Sequence, residues 1–166
     1  MGTSSDSIGH ERLEPALVRA ASCDDVEALA NVLERARDNG QFGPAFLRIG
    51  FLRGVEQGSI AATEYLLQAG ADPNAPSFNK KPPALLRAIH RERYRIVRLL
   101  LDHGASLEIV DENGRTPLMT AAWRGMIDIL FLLIARGANI NARDFRRRNN
   151  GCKANEQDNL GRTPLH

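Results

Sequence analysis

The chain has 166 residues, 43% of them hydrophobic and 25% charged, a balance that suits one globular domain with a continuous core and excludes fibrous or wholly disordered classes. Lys and Arg number 22 against 20 Asp and Glu, so the formal charge of +2 does not by itself demand a polyanionic partner. Cys23 and Cys152 stand far apart with no C-x-x-C or zinc-ligand spacing, which excludes a disulfide framework and points to a reducing compartment, cytoplasmic or nuclear.

The N-terminal stretch is polar, and residues 1–11 read as a flexible tail. It lacks the apolar core of a secretion signal, and Asp6 stands where a myristoylation motif wants Ser or Thr after Gly2. No stretch approaches the ~20 apolar residues that span a bilayer, so no membrane is expected.

From residue 12 the apolar spacing is helical. Residues 12–42 hold ALVRAAS and then DDVEALANVLERA, two short helices followed by a polar connection through Gly40. Asp24, Asp25 and Glu27 open the second of these, where carboxylates complement the helix dipole; they read as caps rather than a catalytic pair. Residues 43–78 carry FLRGV and YLLQAGADPNA, and residues 79–110 carry Ala84, Leu85, Ala88 and the run IVRLLLDHGA. Pro83 occupies the capping position of that segment, which leaves the start of its first helix open to a shift. His103, just before Gly104, complements a helix C-terminus better than it would bind a metal.

Residues 111–144 are the clearest segment. Thr116 is placed to cap a helix with Pro117 in its first turn, Ala121 and Ala122 allow close helix approach, and Gly125 interrupts the pattern. Ile127, Leu130, Leu133 and Ile134 then return at helical spacing as the expected buried stripe of a second helix. On the first helix, Leu118 and Ala122 are expected on the buried side, with Thr120, Trp123 and Arg124 projecting elsewhere.

Gly70, Gly104 and Gly137 close these segments at intervals of 34 and 33 residues, followed by GADPNA, GASLEI and GANINA. A fixed period of this size is the signature of a solenoid, in which one helix pair cannot bury its apolar stripe alone and neighbours must stack. Each Gly reads as a left-handed helix C-cap.

Asp111, Gly114, Thr116, Pro117, Leu118, Ala121, Ala122, Gly125, Gly137, Ala138, Asn139 and Asn141 together resemble the ankyrin repeat, roughly DxxGxTPLHxAAxxGH, an apolar helix and GADVNA. The resemblance implies an all-α ankyrin-repeat solenoid of helix-turn-helix units joined by hairpin-like loops, spanning residues 12–144 in four repeats (12–42, 43–78, 79–110 and 111–144). Residues 12–42 are the most degenerate and are read as an N-terminal cap, because end repeats face solvent on one side. Asp111 and Asp144 match the family's turn residue, which accepts bonds from hairpin N–H groups. Residues 145–166 form a basic insert and the incomplete start of another repeat, DNLGRTPLH, expected to be poorly ordered. Two accounts fit the insert: a loop in a longer protein, or sequence a correct gene model would exclude.

No phosphate loop, dinucleotide fingerprint, metalloprotease motif, nucleophile elbow or calcium loop occurs, and the four histidines are dispersed. The expectation is a protein that is not an enzyme, with no cofactor and no metal. Ankyrin-like stacks bind proteins with their hairpin tips and first-helix faces, which form a concave groove. Carried onto this sequence, that rule selects Glu112, Asn113 and Arg115 at one tip, with Thr120, Trp123 and Arg124 on the following helix. It selects Lys80 beside Asn79 and Pro82 at the preceding tip, then Arg87, His90 and Arg91, and one repeat earlier Arg53 with Glu56 and Gln57.

Trp123 has two readings, an interface anchor or a ring that packs on the next repeat. Arg19, Arg53 and Arg87 share one repeat position, and with Lys80, Arg91, Arg115 and Arg124 they suggest a basic-lined groove for an acidic segment of a partner protein. The leading expectation is therefore a monomeric protein–protein interaction module. The alternative is a binder of nucleic acid or another acidic polymer through groove and loop arginines, including Arg146, Arg147 and Arg148. Against it stand the low net charge and the single Trp and two Tyr available for stacking.

Overall fold

The computed structural model describes residues 12–76 and 81–142. Among the described residues all regular structure is helical: α1 (Glu14–Ser22), α2 (Val26–Asp38), α3 (Pro44–Gln57), α4 (Ile60–Gln68), α5 (Ala84–His90), α6 (Tyr94–Asp102), α7 (Pro117–Trp123) and α8 (Ile127–Ala135). They divide into two compact units, one ending at Ser106 and the other starting at Leu107.

In the first unit each odd-numbered helix packs on the even-numbered helix that follows it. The first helices also pack in sequence, α1 on α3 and α3 on α5, and the second helices do the same, α2 on α4 and α4 on α6. The core lies between these two layers. Leu17, Leu29, Leu33, Phe51, Leu66, Leu85, Ile89, Ile96 and Leu100 are all but fully buried there, each contributing about 1.5–3 kcal/mol by leaving water. Glycine lets α3 approach its neighbours: a Cβ on Gly54 would sit 2.7 Å from Thr63 Oγ1 of α4, and one on Gly50 would sit 2.9 Å from Leu17 Cγ of α1.

Polar bonds stitch successive pairs together. Asp24 adopts a positive φ of 57°, and its Oδ1 accepts from Ala62 N at 2.7 Å. It therefore satisfies the opening turn of α4, whereas the sequence reading assigned it to α2. Asp25 does cap α2, accepting from Ala28 N at 2.9 Å. Asn74 donates through Nδ2 to Gly104 O (3.1 Å) and accepts from Ser106 N (2.8 Å), joining the loop after α4 to the loop after α6. His103 behaves as expected at the end of α6, with Nδ1 3.0 Å from Leu99 O.

The glycine caps form as the period requires. Gly70, Gly104 and Gly137 have φ of 101°, 81° and 88°. The N–H of the alanine after each bonds back to Leu66, Leu100 and Leu133 respectively, closing the helix end. α5 starts at Ala84 directly after Pro83, 33 residues before α7 starts at Pro117, so the proline does not shift the helix.

In the second unit Asp111 organises the loop ahead of α7: its Oδ1 accepts from Asn113 N (2.8 Å) and Arg115 N (2.9 Å). Thr116 caps α7 through Met119 N, with Pro117 at the first position. Two packing expectations are corrected here. On α7 the buried residues are Pro117, Leu118, Thr120 and Ala121, while Ala122 is exposed. On α8 the buried line is Ile129 and Leu133, while Ile127 and Ile134 are 57% and 43% exposed. Among the described residues of this unit α7 is the helix that packs on α8, and a short helix covers only a narrow strip. α4, which has α2 and α6 beside it, buries Leu67, the counterpart of Ile134, to 7% exposure. Asp144 and the basic insert lie outside the described residues.

Candidate functional site

On the first-helix side of the first unit, charged residues from α3, α5 and the turn before α5 converge on one carboxylate. Arg87 of α5 is only 7% exposed. It donates through Nη1 to Glu56 Oε1 at 2.9 Å and through Nε to Pro82 O at 2.9 Å. Lys81 Nζ lies 3.6 Å from the same Glu56 oxygen, and Arg53 Nη1 lies 3.6 Å from the other. Arg53 also donates from Nε to Ser22 Oγ at 3.0 Å, tying α3 to α1. Burial pulls the Arg87 guanidinium below its usual pKa range, and the neighbouring Glu56 carboxylate opposes that shift.

In the second unit the arrangement is aromatic. Trp123 closes α7 with 71% of its surface exposed. The Arg115 guanidinium stands 5.0 Å from the centre of its ring, within cation–π range. Because Arg115 N is held by Asp111, the loop that forms the turn also aims the cation at the indole.

These geometries sort the expected residues. Arg53 and Arg87 come together in the first unit, and Arg115 and Trp123 in the second. His90 and Arg91 are exposed at the end of α5, Arg124 is exposed after α7, and Glu112 is exposed in the preceding loop, with Asn113 half-buried beside it. Lys80 lies outside the described residues. Arg87 is packed against Glu56 and is almost wholly buried. One expectation fails on burial. Thr120 is 2% exposed and does not project outward, because its hydroxyl donates to Thr116 O at 3.0 Å and can be buried at no polar cost. The sequence reading missed Lys81, whose only signal was its place in the Lys80-Lys81 pair, and missed that Glu56 gathers the cations. Among the described residues, no group of three or more His, Cys, Asp or Glu side chains could hold a metal ion, and no helix is long and apolar enough to cross a membrane.

Comparison with known proteins bears on this architecture directly. The family model described as ankyrin repeats (3 copies) matches residues 51–144. The chain belongs to the ankyrin-repeat family. Its fold is the family's all-α solenoid class, and the ankyrin repeat is a protein–protein interaction module. An ankyrin repeat protein of Escherichia coli K12, YahD, is 34% identical over 135 residues, covering 78% of this chain and 66% of that protein. Human cyclin-dependent kinase inhibitor 2A is 36% identical over 90 residues, covering 53% of this chain and 56% of that protein. The crystal structure of the ankyrin repeat domain of Bcl-3 superimposes with a TM-score of 0.71 at 22% identity, covering 78% of this chain and 58% of that one. The chain thus spans less than two thirds of the length of each of these three proteins. Within the ankyrin frame Arg53, Arg87 and Thr120 are equivalent, each 17 residues ahead of its capping glycine, and so are Glu56, His90 and Trp123, each 14 residues ahead. Glu56 and Trp123, the centres of the two clusters, therefore stand at the same position of the repeat.

Proposed function

We propose that this chain is a protein-binding module, without catalytic activity, that holds a partner on the first-helix faces and hairpin tips of its ankyrin repeats. The observation that supports this most is Trp123: a ring 71% exposed, at the position where the preceding repeats carry Glu56 and His90, held under the Arg115 guanidinium. A large apolar ring in water is costly, and covering it with a partner is worth about 2 kcal/mol or more at an interface centre. We read the module as a monomer of a reducing compartment, cytoplasmic or nuclear; Cys23 is a free thiol.

The test is site-directed photo-crosslinking in native lysate, with a benzophenone amino acid placed at Trp123, at Glu112, or at Glu64 on the exposed side of α4. A single protein labelled from 123 and 112 but not from 64 supports the reading. Labelling from 64 alone, or none from 123 and 112, overturns it. A cyclin-dependent kinase, suggested by the name of one relative, would be one identity among several for the labelled protein.

A further inference from the structure

The first unit carries an open pocket of about 260 Å³ on its first-helix side, walled by Val18 of α1 and by Ile49 and Leu52 of α3. Its remaining lining is charged: Arg53, Glu56, Lys81 and Arg87. Three cations meet one carboxylate there, so the cavity carries net positive charge even with Glu56 ionised. The cations are not equivalent. Arg87 is buried and spends two donors on Glu56 and Pro82 O. Arg53 and Lys81 stand 3.6 Å from Glu56, beyond good hydrogen-bond length, with side chains 41% and 59% exposed. Lys81 can turn toward an added anion without unmaking the buried pair, and Arg53 can offer its Nη groups while its Nε stays on Ser22 Oγ.

We propose that this cavity is a subsite for an acidic side chain of a partner polypeptide, a Glu or Asp next to an aliphatic residue. The carboxylate enters between Arg53 and Lys81, and the aliphatic neighbour lies against Val18, Ile49 and Leu52. The proposal rests on the protein-binding reading above and specifies the chemistry of one part of it. Charge complementarity selects the anion, and the apolar wall beside it selects a peptide over a polynucleotide, because none of the described lining residues offers a ring for a base to stack on. Glu56 adds a second filter: it repels a dense run of phosphates while tolerating one carboxylate placed between two cations.

The test is an amide-shift titration of the ¹⁵N-labelled full chain with two probes, acetyl-Leu-Glu-Leu-amide and acetyl-Leu-Gln-Leu-amide. The expected result is a saturable shift at the amides of Val18, Leu52, Arg53 and Lys81 with the Glu peptide, weakened by salt, and an affinity for the Gln peptide lower by about two- to fivefold. Lys81→Ala, at an exposed position outside the helices, should weaken the Glu peptide by about the same factor with unchanged circular dichroism. Lys81→Glu should leave the two peptides indistinguishable. Equal binding of both peptides by the wild type, shifts confined to other residues, or no shift overturns the subsite. So does a short single-stranded oligonucleotide that moves the same amides at lower concentration than the Glu peptide. Failure here alongside successful crosslinking from Trp123 would remove only the subsite. Peptide binding without crosslinking from 123 and 112 would instead remove the wider assignment of the binding surface.

Discussion

At the repeat position shared by Arg53, Arg87 and Thr120, the first unit presents guanidinium groups and the second a buried hydroxyl. At the position shared by Glu56, His90 and Trp123, the first unit presents a carboxylate that gathers cations and the second an exposed indole. The skeleton around these positions is alike in both units: paired helices closed by a glycine cap. Two chemistries are thus carried by one repeat frame, and the frame is specified by residues other than those that differ. In the first unit much of the polar surface is engaged internally, Arg87 with Glu56 and Arg53 with Ser22. In the second unit the distinctive side chains are apolar and open to solvent, with Phe131 and Ile140 66% and 70% exposed in addition to Trp123.

Substitutions can break that contrast in a graded way. The largest effect should come from Glu56→Ala, which leaves Arg87 buried without its carboxylate; a loss of about 2–4 kcal/mol in urea unfolding is expected. Pairing it with Arg87→Met should recover much of that loss, since two apolar groups need no partner. Gly54→Ala should cost about 1–3 kcal/mol by driving a methyl into Thr63 Oγ1, and a melting curve would register it. In the second unit Asp111→Ala removes two backbone bonds of the turn and should cost about 1–2 kcal/mol. The smallest change is expected for Trp123→Ala, about 0.5–1 kcal/mol from the lost cation–π contact. If Trp123→Ala instead proved as damaging as Glu56→Ala, the indole would be a structural element of the fold and the contrast between the two units would collapse.

The frame was readable in the sequence because its determinants are local. Gly70, Gly104 and Gly137 mark left-handed caps, Thr116-Pro117 starts a helix, and Asp111 closes a turn within four residues of itself. Each feature needs only its own neighbourhood. The site was less readable because its contacts are not local. Glu56 meets Arg87 across 31 residues, and the approach of Lys81 to it depends on the path of the chain before α5. Thr120 looked polar and outward, but the Thr116 carbonyl four residues earlier satisfies its hydroxyl and lets it turn inward. The choice of Ala121 over Ala122 as the buried alanine is a matter of helix phase, which a seven-residue helix constrains poorly.

Asp24 carries a consequence for how the first unit comes apart. A residue in the loop between α1 and α2 supplies the acceptor for the opening turn of α4, and Ser59 at the head of α4 donates back to Ser22 O at 3.3 Å. Each helix pair therefore completes part of its own structure with atoms borrowed from the other. Fraying of the first pair removes the acceptor that finishes the second, and loosening of the second releases the donor that returns to the first. The energetic coupling this creates between adjacent pairs favours melting of the unit as one cooperative block over peeling from its end, so the amides of α4 should exchange with solvent no more slowly than those of α1.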